Sequence, residues 1–163
     1  MELQDAIAAI ERAAGPLAIQ VHDLGAGADP IDVSRSLERA WLLLSEPEPS
    51  ERSGHDIIGF APFLELRATG DAVALSARGT TYRGRADGLQ VLERVQAAFA
   101  GTLPPDDLPL GAGAIAVFSY DLGRAFEDVP ATARDDLSFP WLIVTWFTAY
   151  LVRQFAPAAG RCS

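Results

Sequence analysis

Two histidines, three acidic pairs and one glycine-rich run are the places where this 163-residue chain could do chemistry. Neither His22 nor His55 has a second ligand at metal-site spacing, and neither sits in a readable Ser-His-Asp arrangement, so ordinary structural roles are expected for both. Asp106-Asp107, Glu127-Asp128 and Asp135-Asp136 fall in segments that read as loops. Solvated charge is expected there; a glycosidase-like pair needs two carboxylates facing each other across a cleft. The run from Gly111 to Ala116, Gly-Ala-Gly-Ala-Ile-Ala, nearly spells a dinucleotide fingerprint. That motif needs a strand before it and a helix after it, whereas here a Pro-rich linker precedes and a strand follows, so nucleotide binding is not expected.

Composition narrows the partners. The chain carries 13 basic and 22 acidic residues, a formal charge of −9. Nucleic acid and anionic membranes are therefore not expected partners, since phosphate binding needs clustered Lys and Arg. A hydrophobic content of 49% implies a folded chain, read as a single domain over residues 1–163. Cys162 is the single cysteine, so neither an intrachain disulfide nor a multi-cysteine metal site is available. The first residues, Met-Glu-Leu-Gln-Asp, lack the basic and apolar regions of a signal peptide. The longest apolar run, residues 141–152, is broken by Thr145 and Thr148 and is too short to span a bilayer. A cytoplasmic protein is the expectation.

The elements that must position any site follow from periodicity. Leu3, Ile7, Ile10 and Ala14 predict an amphipathic helix over residues 2–14, ended by Gly15-Pro16. Residues 17–21 read as a strand, and Asp32 as the cap of a helix over 32–40. Residues 41–45 read as a strand and 46–54 as a Pro-rich loop. Leu64, Leu66 and Ala68 alternate with polar residues, turn at Gly70-Asp71, and return through Val73, Leu75 and Ala77; Arg78-Gly79 turns the chain again. Asp87, with Gln90 as its capping-box partner, starts a helix over 87–100 striped by Leu92, Val95 and Phe99. A Pro-rich linker over 101–107 leads to a buried strand over 114–118, beyond which Gly123 permits a bend. The small residues Gly111, Ala112, Gly113, Ala114 and Ala116 allow another backbone to come close. Residues 141–153 read as a long final strand and 156–163 as a fraying tail. The expected fold is α+β: mainly antiparallel strands in two packed sheets, with peripheral helices.

The stretch Tyr120-Asp121-Leu122-Gly123-Arg124, followed by Phe126-Glu127 and Pro130, resembles the first lobe of the chorismate-utilising enzymes. These are anthranilate synthase component I and aminodeoxychorismate synthase component I, and the form found here looks most like the para-aminobenzoate branch. The family has a Gly-Gly-rich strand running into Gly-Tyr-Asp; here Ala112, Ala116 and Ser119 stand where it has glycines. The resemblance extends over residues 41–153, from Leu42-Leu43-Leu44-Ser45, a strand ending in serine, through Asp56-Ile57-Ile58 to Pro62, where it implies a short hydrophobic strand followed by a proline. Gly54 stands where the family has an arginine or similar polar group, and Phe147-Thr148 where it has Tyr-Asp.

The resemblance implies a non-catalytic N-terminal lobe that packs on a chorismate-binding lobe, with the family's magnesium site and general base in that second lobe. This chain is then expected to hold no cofactor and no catalytic residue, and to be inactive alone. A glutamine amidotransferase subunit and self-association are further implied partners. An amino-acid pocket of the kind that holds tryptophan in the family would draw on Leu43, Ser45, Gly113, Tyr120 and Asp121. The Ser45 hydroxyl would pair with the ligand's ammonium or carboxylate. A standalone aromatic-amino-acid-binding module and the first lobe of an anthranilate synthase are the alternatives. The aromatic residues Trp141, Trp146, Phe147 and Tyr150 form either a docking surface for the second lobe or part of the chain's own core.

Overall fold

The period of two in Leu64, Leu66 and Ala68 puts three apolar side chains on one face of a strand, and in the computed structural model all three are buried. The structure describes residues 2–15, 20, 22, 27, 29–45, 55–99, 113–128, 130 and 137–154. Its elements are α1 (Leu3–Ala13), α2 (Pro30–Ser36), β1 (Trp41–Leu43), β2 (His55–Thr69), β3 (Ala72–Ala77), β4 (Thr80–Arg85), α3 (Gly88–Ala98), β5 (Ala114–Phe118), a 3₁₀ helix (Tyr120–Ala125) and β6 (Leu142–Gln154). The predicted strand at 17–21, the loop at 46–54, the linker at 101–107, Gly111-Ala112, two acidic pairs (Asp106-Asp107 and Asp135-Asp136) and the tail at 156–163 fall wholly or mostly outside the described residues.

The α+β class is as expected. The strands lie in one six-stranded sheet of order β4-β3-β2-β6-β5, with β1 also paired to β2. Two packed sheets were the expectation, and the length of β2 explains the difference. Its 15 residues serve two partners, β1 at Ile57–Gly59 and β3 at Leu64–Thr69, so the short strand expected at 56–62 and the hairpin strand after it are one continuous element. Ala61, with φ of +52°, sits just before Pro62 within this strand, a conformation that costs a non-glycine residue free energy.

The described residues group into two compact units, Met1–Ile19 with Phe63–Trp146, and Gln20–Pro62 with Phe147–Ser163. In the first, Leu64, Leu66 and Ala68 of β2, Val73 and Leu75 of β3, and Leu142, Val144 and Trp146 of β6 form one buried cluster with Leu3, Ala6 and Ile7 of α1 and with Val91 and Val95 of α3. Each such Val, Leu or Ile side chain contributes roughly 1.5–3 kcal/mol of burial free energy. The meander closes through tight turns: Thr69 pairs with Ala72 around Gly70-Asp71, and Ala77 with Thr80 around Arg78-Gly79. Arg78 and Gly79 both have positive φ, 49° and 79°, the geometry that suits the twist of a two-residue hairpin.

The helices are set by their caps. Asp87 starts α3 as predicted, its Oδ1 accepting from the Leu89 and Gln90 amides at 2.8 and 3.3 Å. In α2 the cap is Asp29, not Asp32: Asp29 Oδ1 accepts from the Ile31 amide at 2.7 Å, and Pro30, with no N–H to satisfy, takes the first helical position. Asp32 instead lies one turn inside, paired with Arg35 at 3.2 Å. Arg94 of α3 ties α1 in place, donating from Nε and Nη2 to Glu11 at 2.7 and 2.9 Å and from Nη1 to Gln4 at 3.1 Å. The Arg94 hydrogen bond holds the Glu11 carboxyl below its usual range.

Candidate functional site

The sequence-predicted pocket residues divide between the two units. Leu43 and Ser45 belong to the second; Gly113, Tyr120 and Asp121 belong to the first.

In the second unit, β1 ends at Leu43, earlier than predicted, and Ser45 lies two residues beyond it. The Ser45 hydroxyl donates to the His55 carbonyl at 2.7 Å and accepts from the His55 amide at 3.2 Å. The Ser45 amide donates to Asp56 Oδ1 at 2.9 Å. Asp56 is 1% exposed, and its second oxygen, Oδ2, accepts from Arg153 Nε at 2.8 Å and from Arg153 Nη2. A buried carboxylate is tolerable only with this kind of paired satisfaction. The hydroxyl expected to meet a ligand is thus engaged with the main chain of β2, and one oxygen lone pair remains to it. Leu43 is 46% exposed. Nearby on β6, Thr148 Oγ1 donates to the Ala61 carbonyl at 3.0 Å. Burial pushes the Tyr150 phenol up to about 12 against a smaller opposing effect of the Phe147 backbone.

In the first unit, β5 pairs antiparallel with β6, Phe118 opposite Leu142 and Ala114 opposite Trp146. The Ser119 amide donates to the Trp141 carbonyl at 2.9 Å, and the chain then winds into the 3₁₀ helix. Asp121 Oδ1 and Arg124 Nε lie 2.9 Å apart as an ion pair one turn along. Tyr120 is 89% exposed. Leu122 and Ala125 wall an open cleft of about 510 Å³ whose other side includes Asp71, Arg85 and Trp141. φ is not positive at Gly113 or Gly123, and among the described residues an added Cβ would meet nothing within 4 Å at either. The bend expected at Gly123 is made by ordinary 3₁₀ winding.

Of the four aromatic residues read as either docking surface or core, two are buried. Trp146 is 1% exposed, its Nε1 donating to Gln96 Oε1 at 3.2 Å, and Phe147 is 3% exposed. Both fill core, because the strand they lie on is covered on the faces they occupy.

Three residues that matter locally were not singled out from the sequence. Arg153 pairs with the buried Asp56; the signal was a lone acid opening the apolar run Ile57-Ile58 and a lone arginine closing the last strand. Gly88 is the third. A Cβ there would come within 2.5 Å of the Ala68 Cβ, so only glycine lets α3 lie this close to β2. Among the described residues no three His, Cys, Asp or Glu side chains gather as a metal site, and no helix is long and apolar enough to cross a membrane.

No family model matches the chain. It is 34% identical over 106 residues to aminodeoxychorismate synthase component 1 of Escherichia coli (strain K12), covering 64% of this chain and 23% of that protein. The Salmonella typhimurium protein of the same name is 36% identical over 102 residues, covering 62% of this chain and 22% of its own length. Anthranilate synthase component 1 of Acetivibrio thermocellus is 26% identical over 115 residues, covering 68% of this chain and 23% of its own length. The chain therefore spans about a quarter of the length of the curated relatives it matches. The resemblance read from Tyr120-Asp121-Leu122-Gly123-Arg124 holds at this level: the chain is related in sequence to part of a component I synthase.

Proposed function

We propose that this chain serves as a non-catalytic, N-terminal lobe of an aminodeoxychorismate synthase component I, packing on a chorismate-binding lobe in para-aminobenzoate synthesis. The observation that carries this reading is the asymmetry of the match, which takes up 64% of this chain but 23% of the Escherichia coli relative. A scaffold role fits the chemistry of the described residues. The polar groups at the end of β1 spend their hydrogen bonds on each other, and the 3₁₀ turn carries a half-buried ion pair. The identities of 34% and 36% with two aminodeoxychorismate synthases, against 26% with an anthranilate synthase, favour the para-aminobenzoate branch. In this role magnesium and the reacting groups belong to the partner lobe, the setting is the cytoplasm, and a glutamine amidotransferase supplies ammonia to the assembled enzyme.

The test is reconstitution. The chain is mixed with a separately produced chorismate-binding lobe, and amination of chorismate is followed with ammonia as nitrogen donor. A rate above that of the lobe alone is expected; an unchanged rate at saturating chain would sink the proposal.

A further inference from the structure

Eight large hydrophobic side chains are exposed among the described residues, and five of them, Phe118, Tyr120, Phe126, Leu137 and Phe139, fall within one span of the first unit. The register explains why they share a location. Phe118, the last residue of β5, lies opposite Leu142, the first of β6, so the segments that leave these strands do so at the same end of the sheet. The hydrogen bond from the Ser119 amide to the Trp141 carbonyl fastens those two segments side by side. The exposures of Tyr120, Phe126 and Leu137 are 89%, 71% and 81%, far above what a side chain serving its own core would show. Clustered apolar exposure of this kind marks an interaction surface, and aromatic residues are the ones enriched in such surfaces. Ser119 Oγ, buried in the same turn, has no hydrogen-bond partner among the described residues. The exposed acids Glu127 and Asp128 follow directly on Phe126.

We propose that this sheet end, centred on Phe118, Tyr120 and Phe126, is the surface that receives the remainder of a component I synthase. The occupant is a polypeptide face that is apolar at its centre and basic at its rim. The proposal rests on the functional reading above and adds where the contact is made. Two observations choose this occupant. The relatives carry about three quarters of their length outside the matched stretch, so in them a large polypeptide accompanies this fold. The charge of −9, with two acids at the edge of the patch, disfavours a second copy of the same chain and favours a basic rim.

The experiment pairs the whole chain with the portion of the Escherichia coli relative outside the match, produced separately and verified as folded by circular dichroism, and measures binding by sedimentation velocity. Y120E and F126E change residues that are mostly in water, so the fold should tolerate both. T80E, on β4 at the opposite edge of the strand order, is the control. The expected result is a heterodimer whose Kd rises at least ~10-fold for Y120E and for F126E, with T80E unchanged. Binding that is equal for all variants overturns the surface and leaves the functional reading standing. Wild-type chain that does not bind overturns the functional reading and the surface with it. A homodimer of the chain that is lost in Y120E assigns the patch to a second copy and overturns the proposal.

Discussion

Arg153, in the last strand, donates from Nε at 2.8 Å to Oδ2 of Asp56, a carboxylate 97 residues earlier and 1% exposed. The other carboxylate oxygen holds the Ser45 amide, so one side chain joins the start of β2 to β6 and to the segment after β1. Removing the cation leaves a buried charge whose desolvation is uncompensated. Arg153→Ala should lower unfolding stability by about 2 kcal/mol, below the full penalty of a deeply buried pair because the guanidinium is partly in water. Asp56→Ala should cost more, since the Ser45 amide loses its acceptor too. Urea denaturation of the variants checks both, and equal stability of all three proteins would contradict the pairing.

Gly88 sits where α3 meets β2. A methyl group there would lie 2.5 Å from the Ala68 methyl, inside any van der Waals contact. Gly88→Ala should destabilise by about 1–3 kcal/mol, although alanine is the better helix former. The double variant G88A/A68G removes the clash and should recover much of the loss, read from the melting temperature.

Tyr150 provides a pH signature. Its phenol, pushed up to about 12 by burial, stays neutral in the folded chain at pH values where the unfolded chain, near 10, has already ionised. The unfolded state then binds fewer protons than the native one, so stability falls as pH rises from about 10 towards 12. Tyr150→Phe should flatten that part of the stability profile, and absorbance at high pH should lose the phenol that ionises near 12.

Ser45 separates two roles in one residue. Ser45→Ala removes both hydroxyl contacts to His55 and should cost about 1–2 kcal/mol in the free chain. If the hydroxyl also meets an amino acid through its remaining lone pair, calorimetry with tryptophan will show heat with wild type and less with the variant. Flat titrations of both proteins would confine Ser45 to fastening β1 against β2.

Much of this was legible from residue order. The alternation Leu64-Leu66-Ala68 and its return through Val73, Leu75 and Ala77 specify the hairpin and its register, because a one-residue slip would turn every apolar side chain to the wrong face. The strand Ala114–Phe118 and the start at Asp87 were readable for similar local reasons, but the burial expected of that strand holds for Ile115 alone, with Ala116 and Phe118 exposed. What eluded local pattern was set by distant partners. Continuity of β2 through Pro62 depends on neighbours at both its ends. The cap at Asp29 was masked by Asp32, an equally suitable residue three positions later. The burial of Trp146 and Phe147 depends on helices and strands elsewhere in sequence, and an aromatic run alone does not distinguish core from surface. The family motif was readable, but its aromatic side chain, Tyr120, lies 89% exposed, where composition says little about what it meets.

The two-residue turns at Gly70-Asp71 and Arg78-Gly79 have a kinetic consequence. Contacts among β2, β3 and β4 join positions close along the chain, so little entropy is lost in closing them. Pairing β5 with β6 closes the longer span between Phe118 and Leu142. The meander is therefore the natural nucleus of the fold, and in pulse-labelled refolding its amides should become protected before those of the final strand.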